Sequence, residues 1–377
     1  MHPSCMTNLK SCVNCSSQSR GDIIGCQHSD RDSHSRRVSG GIFKFTADKF
    51  QFGDHRFYNA FASTIMSYDL GKAVGFKSQD QPVSWTRKDI ITYALGVGAK
   101  HDELSLVYEL DKSWGPLPTY PVVLALKGDD QDVTLFAARK GAKPLPGLPK
   151  LNINRVVHAT QSIEILKELP VASGSGWKLS QRIVGVHENK SGIIIDNESI
   201  LLDPHGVPYA KLYSSAFYLG SKANGDKFSK VIAAPPQAKP VPKDRKPDWV
   251  VRDKTTPEQA LIYRLSGDYN PLHIDPELGK VMGFGGVILH GLSSFGFAAR
   301  GLIQVIANGN SRALTVFGAR FTSPVKPGDE LETSAWEVGP GPNGTSEITF
   351  ITKNLTSGKV VLGNGVAFIK KAEKSKL

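Results

Sequence analysis

The segment YRLSGDYNPLHID, Tyr263 to Asp275, decides how the rest of this chain is read. It sets Asp268, Asn270 and His273 within six residues, around Pro271. A carboxylate, an amide and an imidazole this close can hold and activate one water molecule. Proline disfavours helical backbone in the residue before it, so Asn270 is expected to be extended and a helix over Pro257 to Leu265 to end near Ser266. Gly267 supplies the backbone freedom of a sharp helix exit. The three polar side chains then project from a turn. A Gly-Asp or Asn-Pro pair alone is an ordinary turn former; the weight lies in the unbroken string through Leu272, His273, Ile274 and Asp275.

Downstream, ILHGLSSFGFAAR, Ile288 to Arg300, places His290 and Gly291 before an apolar stripe at Leu292, Phe295, Ala299 and Ile303, which has helical spacing. A helix beginning at Gly291 points free backbone N–H groups at whatever sits in front of it. The first segment resembles the hydratase 2 motif of the MaoC-like (R)-specific enoyl-CoA hydratases, and the second the start of the long central helix of a hot-dog fold. The resemblance implies an α+β double hot-dog: two copies of a curved antiparallel sheet wrapped around a long central helix. It also implies syn addition of water to a trans-2-enoyl-CoA, giving a (3R)-3-hydroxyacyl-CoA. Asp268 and His273 are then the acid–base pair, since their ordinary pKa values bracket the range into which burial can bring them. Asn270 holds the water, and the Gly291 N–H faces the thioester oxygen, where charge builds during addition. Which of Asp268 and His273 is the base stays open, because they titrate as a coupled pair.

Substrate contacts follow from the same resemblance. His158, Ala159 and Lys190 come from the first half, Tyr269, Pro271 and Leu272 from the loop, and Phe321 from ALTVFGARF. Larger relatives often have glycine where this chain has Ala159. Arg312 and Lys326 are candidates for the phosphates of coenzyme A. No metal is expected, a zinc site of Asp268, His273 and His290 matching no ligand spacing, and no cofactor beyond the coenzyme A of the substrate. The alternatives are a related hot-dog dehydratase or thioesterase on the same acyl-thioester platform, or a non-catalytic acyl-CoA-binding protein, against which the intact acid–base pair argues.

The chain contains its own framework twice. Lys88 to Glu103 lies over Glu258 to His273 at constant offset and without a gap: Tyr93 meets Tyr263, Leu95 meets Leu265, Gly98 meets Asp268, Lys100 meets Asn270 and Glu103 meets His273. Pro170-Val171 and Gly174 echo Pro324-Val325 and Gly328. Five regions are therefore expected: residues 1–40, a Ser-rich extension without apolar periodicity; 41–232, a degenerate hot-dog copy; 233–248, a Pro/Lys-rich extended linker; 249–370, the catalytic copy; and 371–377, a basic tail.

All four cysteines lie in the first 26 residues, so the body depends on no disulfide, as in an intracellular enzyme. The tail ends in Ser375, Lys376 and Leu377, a peroxisomal address read by an import receptor. The net charge of +11 suits an anionic partner, here acyl-CoA. Nucleic acid ranks low without a finger spacing or basic-aromatic module. No apolar run is long enough to span a bilayer, and no G-x-G-x-x-G between a strand and a helix marks a fused dehydrogenase. A homodimer is compatible with this reading.

Overall fold

β-branched and aromatic residues dominate eight segments, and each becomes a long strand. In the first half these are β2 (Val156–Ile165), β3 (Lys178–Asn189), β4 (Gly192–Leu202) and β5 (Pro208–Leu219). They follow the two-residue β1 (Gln81–Pro82) and the helices α1 (Arg87–Gly96), α2 (Leu104–Val107) and α3 (Leu124–Lys127), the last entered through a 3-10 turn over Tyr120–Val123. The short β6 (Phe228–Val231) pairs with β3. The second half repeats the path: β7 (Trp249–Lys254), α4 (Gln259–Tyr263) prolonged by a 3-10 turn to Ser266, α5 (Pro276–Val281), α6 (Gly291–Ala307), then β8 (Leu314–Phe321), β9 (Glu330–Pro340), β10 (Ser346–Asn354) and β11 (Val360–Ile369). The structure, a computed structural model, describes residues 67–133, 144–152 and 155–372. The N-terminal extension with its cysteines and the terminal Ser-Lys-Leu lie outside the described residues.

All strands join one antiparallel sheet in the order β1-β3-β4-β5-β2-β8-β11-β10-β9-β7. The order reads identically from both ends once β1 is matched with β7, β3 with β9, β4 with β10, β5 with β11 and β2 with β8. The duplication inferred from short sequence echoes is thus present in the topology. The halves meet at β2 and β8, where Thr160 pairs with Arg320, Ser162 with Gly318 and Glu164 with Val316. One apolar core crosses this seam, including Tyr93, Tyr120 and Ile163 from the first half and Phe295, Phe317 and Phe350 from the second. A smaller core of Leu70, Leu148, Val186 and Ile195 belongs to the first half alone.

The expectation of a long central helix in each copy holds only for the second. α6 runs for 17 residues with Leu292, Phe295, Ala299 and Ile303 buried as the stripe predicts, each large apolar side chain contributing about 1.5–3 kcal/mol. In the first half no described helix exceeds the 10 residues of α1, and the segment that the same offset sets against the start of α6 forms only a 3-10 turn and the four-residue α3. Its end is forced: Gly128, at φ 64°, leaves helical geometry after Lys127. Close contact then locks α6 to the first half. A Cβ on Gly98 would lie 2.1 Å from the Phe297 ring, and one on Gly296 2.3 Å from Val97. Beside them Arg300 is buried on α6, donating to Glu103 and Asp253 at 2.6 Å each and to the Val97 carbonyl at 3.1 Å.

Residues 233–248 contain no helix and join no ladder until β7. They are nonetheless docked: Thr349 donates to the Lys239 carbonyl at 3.0 Å and the Trp336 indole to that of Arg245 at 3.0 Å.

Candidate active site

α4 and its 3-10 extension stop at Gly267, whose φ of 113° a side chain rarely tolerates. Space forbids one too, since a Cβ there would approach the Lys127 backbone to 2.7 Å. Lys127 is itself fixed, 7% exposed, with its ammonium donating to the carbonyls of Ser84 (2.9 Å) and Asp130 (2.7 Å). The first half therefore supplies the floor on which the loop turns. No local pattern could have revealed this contact.

Past Gly267 the loop builds itself. Asp268 accepts the Asn270 backbone N–H at 3.2 Å, and Asn270 caps the 3-10 turn Pro271–His273 by accepting the Leu272 N–H at 3.1 Å. Asn270 is extended as expected (φ −58°, ψ 121°). Its carbonyl oxygen is committed to the cap, so what it offers a water is the amide NH2.

His273 ends the turn, 9% exposed. Its Nδ1 faces the Ile288 carbonyl at 2.9 Å, and because a carbonyl only accepts, Nδ1 carries the proton and Nε2 is left as an acceptor. His290, at the N-cap of α6, stacks on it with ring centres 3.6 Å apart. Its Nε2 donates to the Asp268 carbonyl at 3.1 Å, while Nδ1 is buried without a partner. Burial pushes the pKa of His290 down to about 3, and the stacked ring of His273 adds to the effect. Burial also lowers that of His273, against the opposing pull of the Asp268 carboxylate. Both rings are neutral at pH 7.

The two residues expected to act as acid and base are brought close together. Asp268, His273 and His290 hold ligand-capable atoms within 4.8 Å of one another, and among the described residues they form the one such group. A metal could approach it, but two of the four imidazole nitrogens are already bonded to carbonyls, and we assign none.

Gly291 begins α6 as expected. The first intrahelical bonds are those of Ser293 and Ser294 to the His290 carbonyl, so the Gly291 and Leu292 N–H groups precede them and point out of the helix. A Cβ on Gly291 would lie 3.2 Å from the Phe321 ring. Phe321 in turn meets His158 of β2, ring centres 4.9 Å apart. His158 keeps open surface, yet the protein around it holds its imidazole at about 4, opposed by the Asp268 carboxylate within electrostatic reach. Ala159 is the bulged residue between the pairs His158–Ala216 and Thr160–Ser215. His158, Phe321 and Gly291 thus make one wall beside Asp268.

The other expected contacts are placed as follows. Lys190 sits in the exposed β3–β4 turn, two strands along the sheet from His158. Tyr269 lies under the Arg264 guanidinium at 5.1 Å and lines a separate recess with Lys88 and Thr92. Pro271 is exposed and Leu272 half-buried. Arg312 is paired with Glu168 at 2.7 Å, while Lys326 lies by the Gly285 loop.

Comparison with known proteins follows the same division. Residues 83–220 match the MFE-2 hydratase 2 N-terminal domain and residues 239–360 the MaoC like domain. The chain is 32% identical to a probable enoyl-CoA hydratase 2 of Dictyostelium discoideum, covering 83% of this chain and 100% of that protein. It is 35% identical to the peroxisomal multifunctional enzyme type 2 of Mus musculus over 78% of this chain and 37% of that enzyme. A crystal structure of a MaoC-like dehydratase from Phytophthora capsici superposes with a TM-score of 0.72 at 32% identity, covering 82% of this chain and 100% of that one.

Proposed function

The chain belongs to the MaoC-like hydratase 2 family, and from that premise we propose that it adds water to trans-2-enoyl-CoA, giving (3R)-3-hydroxyacyl-CoA in peroxisomal β-oxidation. The observation that carries this reading is the neutral His273 with a free Nε2 beside the Asp268 carboxylate, in front of the first amides of α6. The Gly291 N–H binds the thioester oxygen and polarises the C2–C3 double bond. Water held by the Asn270 amide and the pair adds its oxygen to C3 and yields a proton to the pair. The pair delivers a proton to C2 from the same side and ends as it began, so no cofactor is consumed. A nitrogen whose partner nitrogen is bonded to a carbonyl starts as an acceptor, which makes His273 the base for water and leaves Asp268 to orient and share the proton.

His158 and Phe321 wall the thioester end of the substrate. His290 touches no reacting atom; it positions Asp268 through its carbonyl and His273 through the stack. The test is hydration of trans-2-enoyl-CoA by the purified chain with the product's C3 configuration determined. An (S) product, or release of free coenzyme A without hydration, overturns the reading, the latter in favour of a thioesterase. The peroxisomal part rests on Ser375-Lys376-Leu377 and on the named mouse relative. Deleting those three residues should leave turnover intact and the protein in the cytosol; continued import in cells without a full-length copy removes that part alone.

A further inference from the structure

The register at the seam implies a second recess. The β2–β8 pairing is centred on Ser162 and Gly318. A two-fold axis through that point exchanges Phe321 with Ile165. Once the bulge at Ala159 is counted, it carries His158 onto the Leu314–Thr315 pair. The offset that matches Tyr93 with Tyr263 also matches Tyr120 with His290 and Pro121 with Gly291. The ring contacts agree: Tyr93 lies 5.5 Å from Tyr120, and Tyr263 lies 4.9 Å from His290. Ile165, Leu314, Thr315 and Pro121 do meet, around a cavity of about 200 Å³ at the opposite end of the seam from Asp268.

The offset puts no reacting group in the walls of this cavity, since neither Gly98 nor Glu103 lines it. Gly98 replaces the acid. Glu103 replaces the imidazole, with its carboxylate held by Arg300 and Gln304. Pro121 replaces the helix-start glycine and has no N–H to give. The hollow itself remains. It is apolar inside, with Pro116, Pro118, Leu166, Leu169 and Leu314 in its walls. It is larger than the ~150 Å³ apolar cavity that takes up benzene. Its rim carries two cations and one anion. Arg312 and Glu168 neutralise each other, leaving Lys167, whose ammonium sits 5.6 Å from the Tyr209 ring and makes no ion pair among the described residues.

We propose that this recess is a binding site, without turnover, for an amphiphile with a medium-length alkyl tail and an anionic head, such as a medium-chain fatty acid: the tail fills the hollow and the head meets Lys167. The inference rests on the register and the rim charges, not on the hydratase reading. Calorimetric titration of the full chain with decanoate tests it, using Leu166→Trp to fill the hollow and Lys167→Glu to reverse the rim charge. Leu166 is 41% exposed, so neither change burdens the core. Decanoate should bind the native protein, Leu166→Trp should weaken that binding at least tenfold, and Lys167→Glu should weaken it severalfold. Decanol should bind the native protein more weakly than decanoate, and enoyl-CoA turnover should be unchanged in both variants. Undetectable binding at millimolar decanoate, or binding that Leu166→Trp leaves unaltered, overturns the site. Equal binding of decanol overturns the anionic head.

Discussion

Tyr93 and Tyr263 face each other across the middle of the molecule, ring centres 6.1 Å apart, each at the base of the same local path. Beyond Tyr263 the chain turns through Asp268 and His273 and enters a 17-residue helix at a glycine. Beyond Tyr93 it passes Gly98 and Glu103 and enters a short helix through Tyr120 and Pro121. The sheet is the same on both sides. The difference teaches that the fold and the proposed chemistry have separable requirements: the sheet needs apolar alternation over eight long strands, whereas the proposed chemistry calls on a handful of side chains and one N–H.

The comparison breaks most sharply at the pair. Asp268→Asn and His273→Gln should each lower hydratase turnover about 10²–10⁴-fold while shifting the melting temperature little. Near-native turnover in either folded variant would mean that the second half is no more catalytic than the first. Glu103, the first-half counterpart of His273, should behave in the opposite way. Glu103→Ala leaves buried Arg300 with Asp253 as its remaining carboxylate partner, so chemical denaturation should show a loss of about 1.5–3 kcal/mol, with turnover per folded molecule nearly unchanged.

A smaller effect is expected at the helix start. In Gly291→Ala the new methyl meets Phe321, and a displaced thioester should lower kcat about tenfold, ~1.4 kcal/mol. Phe321→Leu should restore part of it in the double variant. The smallest difference is in acid stability. His290 has a folded pKa of about 3 against an ordinary 6.5. A base depressed by folding adds stability that is present in full above pH 6.5 and lost as pH falls towards 3, at up to about 1.4 kcal/mol per pH unit. Tyr120, its counterpart, has no titration there. His290→Gln should therefore flatten the fall in stability between pH 6 and pH 4, and an unchanged slope would show that the imidazole is not held neutral.

What could be read in advance follows the distance over which each feature is determined. The site loop lies within thirteen consecutive residues, so its helix end at Gly267, the extended Asn270 and the turn at Pro271 follow from local backbone rules. The start of α6 at Gly291 was equally legible from the apolar stripe that follows. Lys127 under Gly267 was not, because that contact joins segments 140 residues apart, and nothing in a buried lysine's neighbours announces it. Glu103 read as an inert counterpart of His273. Its ties to Arg300 depend on how α6 lies against α1, which the constant offset does not encode. Lys190 was named by resemblance alone, and its place in the β3–β4 turn is set by pairing along that hairpin, which no local pattern announces. The stretch 120–126 is apolar throughout, a composition that does not say how long its helix runs.

Gly98 bears on the history of the chain. Regaining an aspartate at position 98 would take more than a codon change. The backbone there has φ 81°, and the space a Cβ needs is filled by Phe297, a residue of the second half's own helix. Regaining an N–H donor at Pro121 would take another change, and freeing Glu103 would take from buried Arg300 one of its two carboxylate partners. The steps at Gly98 and Glu103 cost stability before they return any activity. The silent half is thus held silent by the working half, a ratchet that single substitutions cannot run in reverse.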